Sequence, residues 1–408
     1  MSDEVREGYK KVELGIRERH IPENWSLSLI KDELDLKLNS INPKDLENDK
    51  IVNLYSMPAF DENKTPKKVL AKEIGSNKYE VPSKCLLFAK LNPRKKRIWL
   101  VEDENDFSLS STEFWPLFPK ESSSVSLKFL NYYFLGDEFQ SNPIIKPASS
   151  TNSHKRIKRK SFKKVRIPIP PLPEQKKIAD ILSSVDQAIE KTGQIIAKTK
   201  ELKQGLMQEL LTKGIGHDEF KEVRIGVKKL EIPINWEVAN FGDIYIKRNE
   251  RSKTEEEYNY VSLGHMETGN LKLMGKDNNG QNRSSNRVFK EGDVLYGKLR
   301  PYLRKGAIAE FEGICSTDII PLYSTDKSIN EYLIYVVHSK YFVDFAISTM
   351  EGTNLPRTSW SDIKKLNIPI PPLEEQKKIA NILSSVDSKI QKKQEQKEKL
   401  EELKKGLM

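Results

Sequence analysis

Ile167–Asp186 reads IPIPPLPEQKKIADILSSVD, and Ile368–Asp387 reads IPIPPLEEQKKIANILSSVD. The two stretches differ only at Pro173/Glu374 and Asp180/Asn381, and they lie 201 residues apart in a chain of 408. The match returns as ELK-x-GLM at Glu201–Met207 and Glu402–Met408. Upstream, Tyr9–Trp25 lines up with Phe220–Trp236 at an offset of 211, with Val, Gly, Ile-Pro and Asn-Trp in step. A repeat on this scale decides the architecture before any residue-level reading. The chain is two copies of one unit, each running from lead-in through a variable region to a Pro-rich elbow and a long helix.

The elbow has a physical meaning. Pro168, Pro170 and Pro171 fix φ and lack an N–H, so they hold the chain extended, and each also pushes its predecessor toward extended backbone. A helix then starts at Pro173 or Glu174, where proline and acidic side chains suit a first turn. Ile178, Ile181, Val185, Ala188, Thr192, Ile195, Thr199, Leu202 and Leu206 alternate at three and four residues, the spacing of a coiled-coil seam. In the second copy Ile379, Ile382, Val386, Leu400, Leu403 and Leu407 repeat the ends of the seam, while Lys389–Gln396 is largely polar. A helix of roughly 35 residues is about 50 Å long. So narrow a stripe predicts that each helix needs a partner, and the obvious partner is the other, antiparallel. The chain stops at Met408, which leaves the second helix short of the first by at least a turn.

Between lead-in and elbow the copies diverge yet keep landmarks. LLFAKLNP at Leu86–Pro93 matches VLYGKLRP at Val294–Pro301, and SSTEFWPL at Ser110–Leu117 matches CSTDIIPL at Cys315–Leu322. Lys84–Lys90, Trp99–Glu102, Asp293–Lys298 and Ala307–Phe311 read as strands, and Ser126–Leu135 and Ile329–Thr349 as helices. The fold class is therefore α+β: two similar domains joined by two long antiparallel helices forming a coiled-coil spacer, a pseudo-twofold internal repeat. The parts are a first domain with its lead-in (1–166), the central elbow and helix (167–215), a second domain with its lead-in (216–367), and the final elbow and helix (368–408). The Pro-x-Asn-Trp tetrads ending at Trp25 and Trp236 are expected to anchor the first strand of each domain in its core.

Sixty-nine Lys and Arg against 59 Asp and Glu leave a formal charge of +10, which suits a polyanionic partner if the charge is gathered. It is gathered. In the first domain Lys90, Asn92, Arg94, Lys95, Lys96 and Arg97 cluster, followed by His154, Lys155, Arg156, Lys158, Arg159 and Lys160. In the second, Lys298, Arg300, Arg304 and Lys305 surround Tyr302, and Thr353, Arg357 and Ser359 follow. Arg156 and Arg357 stand at the same distance before their elbows. Lys and Arg neutralise phosphates, and Arg and Asn read base edges through paired hydrogen bonds. From these clusters Lys90, Asn92, Arg94, Lys95, Arg97, His154, Arg156, Arg159, Lys298, Arg300, Tyr302, Arg304, Lys305, Thr353, Arg357 and Ser359 are the candidate DNA contacts.

Other chemistries leave no trace. Cys85 and Cys315 have no partner at metal-ligand spacing and His is scarce, so neither a zinc site nor a disulfide framework is expected, only thiols in a reducing compartment. No stretch approaches about 20 consecutive apolar residues, and Met1–Lys10 is acidic and polar, so neither a membrane span nor a signal peptide is expected. Phosphate-binding and dinucleotide-binding glycine loops, the Asn/Asp-Pro-Pro-Tyr/Phe tetrad of adenine methyltransferases, Gly-x-Ser-x-Gly and His-Glu-x-x-His are all absent. A self-contained nuclease or methyltransferase would require such motifs. A purely structural coiled-coil adaptor would leave the paired charge clusters without a role.

The doubled lead-in, variable domain, IPIPPLPEQ-x-x-I elbow and long helix, with GKLRPYLRKGAIAEF at Gly297–Phe311, CSTDIIPL at Cys315–Leu322 and GTNLPRTSW at Gly352–Trp360, closely resemble the specificity subunit of type I restriction–modification systems. The likeness spans essentially the whole chain. It departs at Ser150–Arg156, which does not match Gly352–Arg357. The resemblance implies a non-catalytic subunit of the prokaryotic cytoplasm that binds double-stranded DNA, each variable domain reading one half of a bipartite asymmetric target. It implies helices that set the gap and dock adenine methyltransferase subunits, typically two, with a separate restriction and translocase subunit joining for cleavage. It also implies that this chain binds no cofactor or metal: S-adenosylmethionine, ATP and magnesium belong to those partners.

Overall fold

In a computed structural model the chain is described at residues 6–82, 84–102, 107–145, 155–226, 228–252, 258–278 and 286–408. It divides into two compact units, Met1–Lys191 with Lys397–Met408, and Thr192–Gln396. Each unit therefore takes its domain, the first half of its own long helix and the end of the other copy's helix.

Each unit opens on a hairpin. Tyr9–Leu14 pairs with Arg17–Pro22, and Phe220–Ile225 with Lys228–Pro233. Gly15 and Gly226, in step in the sequence, supply the positive φ that these tight turns require. Trp236 is 1% exposed and its Nε1–H donates to Glu375 Oε2 at 3.0 Å, the anchoring that the tetrad predicts. Trp25 is only half-buried, and its Nε1 has no partner.

The first unit carries a four-stranded antiparallel sheet in the order Ile98–Val101, Cys85–Ala89, Phe114–Pro119, Leu34–Leu36, and a five-stranded sheet in which Ser108–Ser111 runs parallel to Ile51–Tyr55. The second unit repeats the plan. Gly306–Ile308, Val294–Gly297, Ile319–Ser324 and Tyr245–Lys247 form one four-stranded sheet, and Gly313–Cys315 runs parallel to Asn259–Val261 in another. All four stretches read as strands fall on these strands. Helix Leu127–Leu135 of the first unit corresponds to Asn330–His338 of the second. Ile329–Thr349 is not one helix. Ser339 is extended (φ −64°, ψ 152°) and its hydroxyl caps the Phe342 N–H, so a second helix, Lys340–Ser348, starts there. Gly136 makes the same break in the first unit before Asp137–Gln140.

The elbows are strands with partners. Arg166–Ile169 pairs with Ser26–Leu29, and Asn367–Ile370 with Glu237–Asn240. Each sheet has only two strands, so a proline without an N–H is tolerated. The long helices follow at Leu172–Leu210 and Leu373–Leu407. Gln175 and Gln376, both fully buried, fasten elbow to domain. Gln376 Nε2 donates to the Pro371 and Lys327 carbonyls, and its Oε1 accepts from Ser328 Oγ and the Ile329 N–H. Gln175 Nε2 donates to the Pro170 carbonyl, and its Oε1 accepts from the Ser126 N–H.

The seam is partly displaced from the expected one. Ile181, Ile195 and Leu202 are 46%, 38% and 56% exposed, and Ile382, Leu403 and Leu407 are exposed too. The face turned inward carries Gln175, Ala179, Leu182, Thr192, Thr199 and Lys203. Thr192, Thr199 and Ile379 of the expected seam are buried, so the seam is met in part, and the rest of the inward face includes polar side chains held by hydrogen bonds and ion pairs. In the first unit Lys404 lies 2.6 Å from Asp186, which also accepts from the Tyr132 hydroxyl at 3.0 Å. In the second unit Lys203 lies 2.5 Å from Asp387, which accepts from the Tyr335 hydroxyl at 3.0 Å. Each lysine also stands over the ring of its tyrosine. The start of one long helix thus meets the end of the other in each unit, the order of an antiparallel pair.

Candidate nucleic-acid interface

The strand Cys85–Ala89 leads into a single 3-10 turn, Pro93–Lys95, and returns as Ile98–Val101. Val294–Gly297 leads into Pro301–Leu303 and returns as Gly306–Ile308. Both turns are flanked by left-handed, non-glycine residues: Asn92 (φ 51°) and Lys96 (φ 43°), Arg300 (φ 50°) and Arg304 (φ 48°). Only one other non-glycine residue with positive φ, Lys64, occurs among the described residues. Such backbone costs about 1 kcal/mol or more per residue, so the surroundings must hold it in place.

They do so at both ends. The Asn92 N–H donates to the Lys155 carbonyl at 2.9 Å and the Arg300 N–H to the Pro356 carbonyl at 2.8 Å. Isolated bridges join Leu91 to Arg156 and Leu299 to Arg357. At the far end Lys96 Nζ donates to the Leu135 carbonyl and lies 2.9 Å from Asp137, whereas the Arg304 carbonyl lies 3.1 Å from His338 Nε2. Leu135 and His338 end corresponding helices.

Several candidates are engaged by other residues of the protein. Arg97 is 7% exposed and grips Asp61 with Nε and Nη2 at 2.7 and 2.5 Å, which holds the Asp61 carboxyl below its usual range. Arg156 forms a bidentate pair with Glu113 (Nε–Oε2 3.0 Å, Nη2–Oε1 2.8 Å) and lowers the Glu113 pKa, with Lys90 adding to the effect. Arg357 forms the matching bidentate pair with Asp318 (Nε–Oδ1 2.7 Å, Nη2–Oδ2 3.1 Å). Lys305 Nζ donates to the Leu263 carbonyl at 2.7 Å. Ser359 caps the helix Trp360–Ile363 through the Asp362 N–H.

Others face solvent. Arg94 and Lys95 are exposed at the tip of the first turn, Lys95 lying 3.6 Å from Asp61. Tyr302 and Arg300 are exposed on the second, and Arg300 Nη2 reaches the Asn354 carbonyl at 3.4 Å. Thr353 is exposed on the same neighbouring loop, which the Glu351–Arg357 bridge closes. Arg159 is exposed at the start of the helix Arg159–Phe162. Lys90 and Lys298 are half-buried at the strand ends, their backbones bonded to Glu113 and Asp318. His154 lies outside the described residues. Sequence reasoning missed Asp61, Glu113 and Asp318. The last two had a signal: STE at Ser111–Glu113 and STD at Ser316–Asp318 are matching landmarks, as are the arginines they hold.

Cys85 and Cys315 are buried, and burial pushes both thiols up to about 12. Among the described residues no group of three or more His, Cys, Asp and Glu could hold a metal ion, and no helix is long and apolar enough to cross a membrane.

An α+β unit that presents a braced, cation-bearing turn is present twice. The type I restriction modification DNA specificity domain matches the chain twice, at residues 22–201 and 233–402, and the chain belongs to that family. It is 27% identical over 423 residues to a Methanocaldococcus jannaschii protein provisionally described as the MjaX type I restriction enzyme specificity subunit, with 98% of this chain and 95% of that one covered. It is 30% identical over 270 residues to the MjaVIII specificity subunit of the same organism, covering 62% of each. A chain solved in work on complex assembly and conformational transition of the type I R-M system shares the fold, with a TM-score of 0.59, 19% identity, and 95% and 97% of the two chains covered.

Proposed function

We propose that this chain is the non-catalytic DNA-recognition subunit of a type I restriction–modification complex, with each domain reading one half of a bipartite, asymmetric duplex target. The observation that carries this reading is the twice-built turn. The same strained backbone is braced in the same way at its entry in both units, while the exposed side chains differ: Arg94 and Lys95 in one, Arg300 and Tyr302 in the other. Conserving a frame while changing what it presents suits two readers of different base sequence, because phosphate contacts position a protein and base contacts specify the site. The long helices set the gap, and their exposed apolar residues suit docking of adenine methyltransferase subunits, two per chain. S-adenosylmethionine binds those subunits, and ATP with magnesium binds a restriction and translocase subunit. The complex works in the prokaryotic cytoplasm.

The test is co-expression with the cognate methyltransferase and genome-wide mapping of methyladenine. The expected result is one bipartite motif with a fixed gap and unlike halves, methylated on opposite strands. A continuous motif, or no methylation, overturns the reading. Exchanging residues 26–166 for another variable domain should change one half alone. Adding about one helical turn after Asp186 should widen the gap and leave both halves intact.

A further inference from the structure

We propose that Glu113–Arg156 and Asp318–Arg357 are positioning pairs: they hold the reading turn of each unit in its strained conformation, and the two arginines serve DNA recognition through the turn. The inference rests on the DNA-recognition reading above.

Three observations converge on it. First, both arginines commit one edge of the guanidinium to a partner within the protein, although Arg156 is otherwise exposed. Each engages one carboxylate through Nε and Nη2, the fork geometry that matches a carboxylate best. Arg357 also donates Nη1 to the Leu355 carbonyl at 3.0 Å. The Nε–Nη2 edge is thereby taken up by the carboxylate and does not face outward.

Second, each pair sits where the turn is gripped. The backbone of Arg156 bridges Leu91, and the residue before it accepts the N–H of left-handed Asn92. The backbone of Arg357 bridges Leu299, and Pro356 accepts the N–H of left-handed Arg300. The acids close the other side. The Lys90 N–H donates to the Glu113 carbonyl and the Lys298 N–H to the Asp318 carbonyl, both at the residue that leads into the turn. Ile157 and Thr358 in turn donate to the Lys90 and Lys298 carbonyls. The ion pair therefore joins, side chain to side chain, the two segments whose backbones clamp the entry to the turn from both sides.

Third, the arrangement is built twice although the turns differ. Glu stands in one unit and Asp in the other, and the tips carry unlike residues. The pairing survives because both units need the clamp, whatever their turns present.

An acid that merely occupies the arginine and an acid that holds the turn predict opposite signs for its loss. If Asp318 only withheld Arg357 from DNA, neutralising it would free the guanidinium and remove a repelling charge, so binding would tighten. If the pair positions the turn, Asp318→Asn loosens it and weakens recognition as much as removing the arginine does. The experiment uses the full chain assembled with its methyltransferase. The probes are duplexes carrying the mapped methylation motif, with a matched or mismatched half for the second unit. Asp318→Asn, Arg357→Gln and the double variant are each expected to lose about tenfold in discrimination of that half, on the order of one mismatched base pair. The double variant should lose no more than either single, because all three remove one interaction. Asp318→Glu, which keeps the acid that the first unit uses, should retain most of the discrimination. Undiminished discrimination of the first unit's half reports that the protein is folded and assembled. Tighter or unchanged binding by Asp318→Asn, or additive losses in the double variant, overturns the proposal. Glu113→Gln and Arg156→Gln repeat the test on the other half should the second-unit variants fail to assemble. If the wild-type complex shows no preference for matched halves, the DNA-recognition reading fails instead.

Discussion

The turn of the first unit and the turn of the second share a backbone but not a way of being held at the far end. In the first unit a lysine side chain, Lys96, ties the turn to the carbonyl of Leu135 and to Asp137. In the second a backbone carbonyl, that of Arg304, meets the buried ring of His338, whose Nδ1 lies 2.7 Å from the Ile334 carbonyl. The geometry of the turn is therefore what is preserved, and the chemistry that secures it is free to drift. The contrast extends inward. Phe88 and Tyr296 occupy matching strand positions, yet Phe88 touches four aromatic rings while the Tyr296 hydroxyl is buried without a partner. Gln376 fills all four of its hydrogen-bonding positions, whereas two side-chain bonds hold Gln175.

Breaking the first core should have the largest effect. Phe88 packs 4.6 Å from Phe162, 5.9 Å from Phe134, 6.1 Å from Phe139 and 6.3 Å from Trp115, centroid to centroid. Phe88→Ala should cost about 4 kcal/mol. Hydrogen exchange resolved by peptide should show the loss in the first unit and leave the second protected. The elbow glutamines come next. Gln376→Leu leaves two carbonyls, a hydroxyl and an N–H without their partner and should cost about 3 kcal/mol, with Gln175→Leu costing about 2 kcal/mol. Denaturant titration of the two variants should give midpoints in that order, and a reversed order would break the comparison.

His338 distinguishes the units by pH. Burial pushes its pKa down to about 4 from an ordinary 6.5, against its bond to the Ile334 carbonyl. The unfolded chain takes up a proton near pH 6.5 that the folded ring refuses until about pH 4. The histidine term is therefore fully favourable above pH 6.5, declines as pH falls through that window, and stays lost below about 4. Exchange in the second unit should rise across this window by an amount on the order of 2 kcal/mol. The first unit, with Leu135 at the matching place, should not follow it, and His338→Leu should remove the difference. The smallest effect should be favourable: Tyr296→Phe deletes an unpaired buried hydroxyl and should stabilise the second unit by up to about 1 kcal/mol, read as a raised unfolding midpoint.

Much of the frame was legible in the sequence because it is written twice. The copied block Ile167–Asp186 located the elbows, and the glycines at 15 and 226 and the strands around Leu86 and Val294 emerged at their expected places. Periodicity then misled where burial is polar. Ile181, Ile195 and Leu202 looked like the seam and are exposed, while Gln175 and Lys203, outside that seam, are buried. Charge clustering likewise marked the two turns but did not separate Arg94, which is exposed, from Arg97, which is not.

What the sequence by itself determined is the duplication, the extended elbows, the long helices and the two cationic turns, since each follows from local rules of proline, glycine, periodicity and charge density. Only the tertiary structure decided which stripe of each helix turns inward and which cations remain available. An ion pair such as Arg156 with Glu113 joins residues 43 apart in the chain, and Arg357 with Asp318 joins residues 39 apart. No local pattern records such a pairing. It depends on where the folded chain brings distant segments together, and there a bidentate carboxylate engages each of these candidate DNA contacts.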